Sequence, residues 1–507
     1  MFSLQNFSPR LYQSNILKAC IDKNCLIILP TGIGKTGISL LLAIERLNKF
    51  PDSRILFCSP TKPLCQQHKE TFSSSTNISK EHLLLYTGLL KADLRQKLFP
   101  NSKVVIATPQ TIESDIRNNC INLEDFSLLV IDEAHRSRMK YASTLVAKKY
   151  METAKNPRIL ALTASPGSTK EKIKEICENL FIDNIEVRTD TDEDVIPYLQ
   201  NKSIYYEEVH LTNEFEQIKK LLRSVYTEKL KHLRKIGFTK PPSLTNKRDL
   251  IMLQMQFQKE LSRHNPSAFF AISLIAGLLK LSYLIELIET QSLKPLQNFF
   301  NKLSSESTKA AKSLMKTHEI IEAKNITGSL IDNGVLHPKL EKLILIIKKQ
   351  LSTSPHSKII IFANYRDTIS EILEELSNVE NCKPIKLIGH KDGITQKQQL
   401  ETISRFESNE FNCLITTSIG EEGLSIGTLD TAIFYDNVPS AIRRIQREGR
   451  VARIKPGKII YLIVKNSMDS AYHWKARKDE KIMKTAINNI KNKLEEQESL
   501  AKYESNS

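Results

Sequence analysis

Three short runs in this chain carry residue types and spacings suited to holding and splitting a phosphoanhydride. The first is Pro-Thr-Gly-Ile-Gly-Lys-Thr at 30–36, which follows a short apolar run and leads straight into a helical pattern. A glycine turn between a buried strand and a helix start aims several backbone N–H groups at one point, where the helix dipole adds positive charge. Gly32 and Gly34 let phosphates approach closely, with Thr31 and Ile33 completing the loop. Lys35 can then neutralise β- and γ-oxygens, and the Thr36 hydroxyl can ligate Mg²⁺. The full phosphate-loop pattern has Gly where this chain has Leu29.

About a hundred residues later comes Asp132-Glu133-Ala134-His135, at the end of the run SLLVID. Two adjacent carboxylates at the C-terminal edge of a strand can divide the work. Asp132 would hold Mg²⁺, and Glu133 would orient and deprotonate the attacking water. The third run is Gln446 to Arg453, Q-R-E-G-R-V-A-R. Arg450 and Arg453 are three apart, share a helix face and can both reach a γ-phosphate. Arginines supplied only when two domains close would tie hydrolysis to domain motion.

The surrounding elements suit these roles. From 25 to 165, apolar runs (CLIIL, RILFCS, KVVIAT, SLLVID, RILALTAS) alternate with helical stretches, and the rhythm returns from 358 to 464 (KIIIFAN, IKLIGH, NCLITT, TAIFYDN, KIIYLIV). Runs apolar throughout indicate strands buried on both faces, hence parallel sheets wrapped by helices. The fold class is therefore α/β: two parallel-sheet domains with an all-helical insert between them. We place the boundaries at 1–205, 206–332, 333–475 and a charged helical tail at 476–507. The insert holds nineteen Lys/Arg against ten Asp/Glu over 213–326, a net of +9 out of +16 for the whole chain. Its densest stretch, 216–248, includes Lys231, Arg234 and Lys235, which we expect to contact phosphates.

Other classes are set aside on composition. With 40% hydrophobic and 26% charged residues the chain is globular rather than disordered. The eight cysteines show no C-x-x-C spacing and no neighbouring His cluster, so they read as reduced thiols of an intracellular protein rather than a zinc site. The N-terminus does not read as a secretory signal. The 268–288 stretch is long enough to cross a bilayer, but it carries Lys280 and Glu286 and reads as a buried helix, so no membrane partner is expected.

In order and content these motifs resemble superfamily-two helicases, specifically the DEAH-bearing Hef/FANCM group, over about residues 8–475. Arg10-Leu11-Tyr12-Gln13 is similar to the adenine-reading segment, with Arg10 and Gln13 as base contacts. PTGIGKT and DEAH resemble motifs I and II. Thr163-Ala164-Ser165 resembles motif III, so Thr163, Ser165 and His135, with Gly420 and Glu422 of the motif V string GEEGL, take coupling roles. Ser59 to Leu64 and Thr108 to Thr111 resemble the strand-tracking segments, and Phe362 to Arg366 resembles motif IV. The resemblance thus implies nucleic-acid contacts at Thr61, Lys62, Thr108, Gln110, Asn364, Arg366 and Thr416, and catalytic roles for Lys35, Asp132, Glu133, Gln446, Arg450 and Arg453. Ser425, Glu448, Val451 and Ala452 depart from the family pattern.

The resemblance implies two RecA-like motor domains and an ATP- and Mg²⁺-dependent DNA helicase or translocase. It would remodel forked or branched DNA in replication-fork repair, with the basic insert on the branch. The nuclease signature E-R-K-x-x-x-D is not in the sequence, so cutting is expected from a separate nuclease, and a sliding clamp is a further candidate partner. The expected location is intracellular and DNA-associated. Two other readings stay open at this point: an RNA-stimulated, RIG-I-like ATPase, and a structure-specific DNA-binding scaffold that recruits a nuclease.

Overall fold

The computed structural model describes the chain except residues 89, 168, 237, 239, 242–244, 262–265, 390–393, 418–425, 428, 452–455 and 506–507, and the side chains of 266, 267, 396 and 492–505. Two parallel sheets organise it. The first contains β1 (Cys25–Ile28), β2 (Arg54–Cys58), β3 (Leu83–Tyr86), β4 (Val104–Ala107), β5 (Phe126–Ile131), β6 (Ile159–Thr163) and β7 (Asn184–Val187). They lie in the order β3-β4-β2-β5-β6-β1-β7. Each of β1, β4, β5 and β6 is buried at every position, as continuous apolar runs require. Helices on both faces bury the two sides of the sheet as separate cores.

The second sheet contains β8 (Lys202–Val209), β9 (Ile359–Phe362), β10 (Pro384–Leu387), β11 (Cys413–Thr416), β12 (Thr431–Phe434) and β13 (Gly457–Val464), in the order β10-β11-β9-β12-β13-β8. Strand β8 corrects the boundary expected between residues 205 and 206. It pairs with β13 over its whole length, so the chain has crossed to the second sheet by Lys202, before entering the insert. As an edge strand it is exposed on both faces at most positions, which is why KSIYYEEV lacks the apolar signature of its neighbours.

The insert is a helical bundle running from Asn213–Lys235 to His318–Asp332. The apolar stretch forms the helix Pro266–Thr290, long and apolar enough by length and composition to cross a membrane. Here it packs in two small cores, with Leu281, Leu284 and Leu287 in one and Ile275 and Leu278 in the other. Its charges are matched within the protein: Lys280 donates to Glu306 at 2.7 Å, and Glu286 accepts from the Tyr365 hydroxyl at 2.9 Å.

A buried polar seam joins the insert to the second sheet. Gln291 Nε2 donates to Asp436 at 2.7 Å, Thr368 Oγ1 donates to Gln291 Oε1 at 2.7 Å, and the Met468 N–H donates to Glu289 at 2.8 Å. The tail expected from 476 is instead the continuation of one helix, Met468–Ser505. That helix reaches back to the first domain, where Met483 and Ile487 join its core and Lys491 pairs with Asp192.

Candidate nucleotide site between the two sheets

Both domains contribute to one cavity of about 260 Å³. It is lined by Thr31, Gly32, Gly34, Lys35, Thr36, Asp132 and Glu133 from the first domain and by Gln446, Gly449 and Arg450 from the second. The phosphate loop leaves β1 with Gly32 at φ +83° and Gly34 at φ +94°. That left-handed backbone strongly favours glycine, and it turns the start of the helix Lys35–Lys49 toward the cavity. Beneath the loop, the expected base contacts Arg10 and Gln13 hold its carbonyls. Arg10 donates to Ile33 O at 3.1 Å, and Gln13 donates to Gly34 O at 2.9 Å while accepting from its neighbour Arg10 N. Tyr12 also donates to Ile33 O. These side chains brace the loop from below.

Asp132 ends the β5 run with both oxygens engaged. Oδ2 lies 3.1 Å from His68 Nε2 and 3.2 Å from the Ser59 hydroxyl, and Oδ1 accepts from Glu133 N at 2.9 Å. Burial alone would raise the Asp132 carboxyl, but His68 and the Lys35 charge outweigh it and hold it below the ordinary value. Glu133 stands at φ +51°, a left-handed conformation that non-glycine residues rarely adopt and that functional sites often hold. It places the carboxylate in the cavity wall beside Asp132.

His135 Nδ1 lies 3.2 Å from Glu133 Oε2 and 3.3 Å from Thr163 Oγ1, which in turn accepts from Ser165 N at 3.1 Å. Three of the five residues expected to couple, His135, Thr163 and Ser165, therefore form one chain leading away from Glu133. Gly420, Glu422 and Ser425 lie outside the described residues, as does Arg453.

The second domain presents its arginine helix Ala441–Glu448 to this cavity. The Gln446 amide is 7% exposed, with neither its nitrogen nor its oxygen hydrogen-bonded. An unmatched buried amide aimed into a phosphate cavity fits a polar ligand there. Thr36 and Asp132 supply hard oxygen donors, the kind that hold Mg²⁺ together with phosphate oxygens and water. Arg447, one residue on, has the opposite role. Fully buried, it stacks near Phe362, donates to Asp436 O at 2.8 Å and to Asn364 Oδ1 at 3.0 Å. Glu448 accepts from Arg444 at 2.8 Å and from the Tyr461 hydroxyl, so this departure from the family pattern serves to anchor the helix.

The expected nucleic-acid contacts divide. Thr61 caps the helix Lys62–Ser75, accepting from Leu64 N at 3.4 Å, and Gln110 donates to Tyr141 at 3.1 Å near the Thr108–Thr111 hydroxyl pair. Asn364 and Arg366 line an open groove of about 570 Å³ with Lys302, Asn298 and Phe299 of the insert. Thr416 is corrected: it is fully buried and donates to Thr417 O at 3.2 Å, out of reach of a phosphate. In the insert, Lys231, Arg234 and Lys235 are exposed at the end of the helix Asn213–Lys235. Other cations of the same run are used internally. Arg223 and Lys219 lie 2.6 and 3.7 Å from the buried Glu289, and Lys240 lies 2.6 Å from Asp249.

His68 and Arg447 were not singled out from sequence. The signal for His68 was a polar residue on the apolar stripe Cys65–His68–Phe72 of one helix.

Comparison with known proteins points the same way. Family models match in order along the chain: DEAD/DEAH box helicase at 10–173, a helical bundle described as that of a putative ATP-dependent RNA helicase at 214–329, and the helicase conserved C-terminal domain at 338–455. A putative ATP-dependent RNA helicase of Methanocaldococcus jannaschii is 38% identical over 96% of this chain. An ATP-dependent DNA helicase of Schizosaccharomyces pombe is 32% identical over 94% of it. The chain spans 61% and 59% of these two relatives' own lengths. The crystal structure of the Pyrococcus furiosus Hef helicase domain superposes with a TM-score of 0.73 at 39% identity, covering 92% of this chain and 98% of that one.

Proposed function

Because the chain belongs to the Hef/FANCM group of superfamily-two DEAH helicases, we propose that it is an ATP-driven motor that binds and remodels forked or branched DNA. The observation that carries this reading is the shared cavity, which is complete only when Lys35, Thr36, Asp132 and Glu133 of one domain meet Gln446 and Arg450 of the other.

Lys35 and the loop N–H groups bind the phosphates, and Thr36 and Asp132 would hold Mg²⁺ there. The ion, when bound, neutralises charge on the β- and γ-oxygens. Glu133 takes the proton of the attacking water, and Arg450 with Arg453 stabilises charge on the transferred phosphoryl group. Because the arginines come from the second domain, the nucleotide state sets the separation of the two domains. The seam at Gln291, Glu289 and Asp436 ties the insert to that second domain. A branch gripped by Lys231, Arg234 and Lys235 would therefore move with the second domain, while Thr61, Lys62, Thr108 and Gln110 hold strand backbone on the first. This reading places the protein inside the cell, on DNA, with a structure-specific nuclease or a sliding clamp as candidate partners.

The test is ATP hydrolysis by wild type beside Glu133→Gln with single strand, blunt duplex, three-way fork, four-way junction and duplex RNA at one salt concentration. Stimulation is expected to be strongest with forked or four-way DNA and lost in the variant. Stimulation mainly by duplex RNA, which the names of the insert family and the Methanocaldococcus relative make worth including, would move the substrate to RNA. Tight fork binding with no nucleic-acid-dependent turnover would replace the motor with a scaffold.

A further inference from the structure

The helix Lys62–Ser75 reaches two sites at once. Its first turn, capped by Thr61, lies in the segment that resembles a strand-tracking one, while Gln67 and His68 further along form part of the nucleotide cavity wall. His68 is 5% exposed, its ring packs on Phe57 with centroids 4.3 Å apart, and its Nε2 lies 3.1 Å from Asp132 Oδ2. Opposite a carboxylate that nitrogen carries the proton and donates, leaving Nδ1 buried without a hydrogen-bond partner. An unmatched buried nitrogen destabilises the fold by itself, so the contact with Asp132 needs a reason beyond packing.

The other groups holding Asp132 are the Ser59 hydroxyl and the Glu133 N–H, both near strand ends of the sheet. Of the three donors, Ser59 begins the segment that resembles a tracking one, and His68 is the donor carried by the helix that continues it. Backbone hydrogen bonds make that helix one rigid body, so a displacement of its first turn is transmitted to the His68 ring.

We propose that His68 is a positioning residue: it aims Asp132 at the divalent ion and makes metal affinity respond to nucleic acid bound at Thr61 and Lys62. This rests on the nucleotide-site reading above. Outer partners that orient a ligating carboxylate are commonly worth about 10–100-fold in metal affinity or activity. The sequence separation of 64 residues between His68 and Asp132 explains why no local motif contains the pair.

The experiment measures binding rather than turnover. The full chain with a non-hydrolysable ATP analogue is titrated with Mn²⁺, free ion being read by electron paramagnetic resonance, with and without forked DNA. Wild type is compared with His68→Ala, His68→Gln and Asp132→Ala, and a melting curve for each shows that it is folded. Weakening by roughly 10-fold in His68→Ala is expected. His68→Gln, whose amide N–H can reach toward the place of Nε2, should recover most of it. Forked DNA should shift Mn²⁺ affinity severalfold more in wild type than in His68→Ala, where Ser59 alone still joins the segment to Asp132. The proposal is overturned if His68→Ala binds Mn²⁺ like wild type while Asp132→Ala does not, or if DNA shifts both proteins equally. If Asp132→Ala also binds like wild type, the metal role of Asp132 itself is wrong.

Discussion

Gly449 of the second domain faces Thr31 of the phosphate loop so closely that a Cβ on it would lie 2.6 Å from the Thr31 Cβ, and nearer still to the hydroxyl. Thr31 is branched at that carbon and cannot swing its bulk away. The contact also places Gln446 and Arg450, on either side of Gly449, against the loop. Closure of the two domains is therefore gauged by the absence of one methyl group.

Gly449→Ala should hold the domains apart and move Arg450 away from the phosphates. Misplacement of about 1 Å can cost on the order of 100-fold in rate. The expected outcome is a fall of that size in kcat for nucleic-acid-stimulated hydrolysis, with binding of ATP to the first domain largely kept. Steady-state kinetics with a fluorescent ATP analogue for binding separates the two. A kcat within twofold of wild type would mean that the cleft closes differently.

Lys339 is fully buried, 2.8 Å from Asp469 and 3.8 Å from Asp436, where the insert seam meets the second sheet. Lys339→Ala would leave two buried carboxylates without their cation, at an expected cost of about 3–5 kcal/mol. Trp474 is the chain's one tryptophan and sits beside Tyr206 and Tyr461 through His473 and Arg477, so its fluorescence reports on this domain. A urea transition unchanged in the variant would show that the pair is dispensable.

Parts of this molecule were legible in sequence because their determinants are local. SLLVID announces a doubly buried strand, and the phosphate loop and Asp132-Glu133 are set by a turn and a strand end. What was hidden depends on partners distant in the chain. His68 meets Asp132 across 64 residues, and Arg447 meets Asn364 across 83, so neither spacing is visible in a motif. Lys219 and Arg223 belong to the same basic run, and nothing in its spacing shows that the buried Glu289, an acid inside an apolar helix, engages them. Thr416 ends strand β11, whose every position is buried, and no local spacing shows what packs over that end of the sheet.

His337 supplies a pH dependence. Its ring is 1% exposed, with Nε2 3.1 Å from Ile288 O and Nδ1 accepting from Lys339 N at 3.1 Å. Burial first, and then the nearby Lys339 ammonium, push its pKa down to about 3 despite the Ile288 carbonyl. An unfolded chain protonates its histidines near 6.5, roughly. Between those values the unfolded state binds the extra proton. Stability is thus full above the unfolded pKa and falls as pH drops, by about 1.4 kcal/mol per pH unit from this residue. His337→Gln keeps a donor and an acceptor without titrating. Its urea midpoint should fall less steeply between neutral pH and the acid side than wild type's, and parallel slopes would assign the acid sensitivity elsewhere.

The last prediction separates phosphate contact from internal pairing within one helix. Lys231, Arg234 and Lys235 are exposed, whereas Arg223 holds the buried Glu289 at 2.6 Å. Changing the three exposed residues to Glu should weaken fork binding and flatten its salt dependence by about 0.9 in the log–log slope for each phosphate no longer neutralised. Arg223→Glu should instead lower the melting temperature, because it sets a second carboxylate against a buried one. Fluorescence anisotropy on a labelled fork across a salt series, beside thermal melts of the same proteins, distinguishes the two effects. If the triple reversal left both affinity and slope unchanged, the end of this helix would not touch DNA, and the groove at Asn364, Arg366 and Lys302 would be the surface to reverse next.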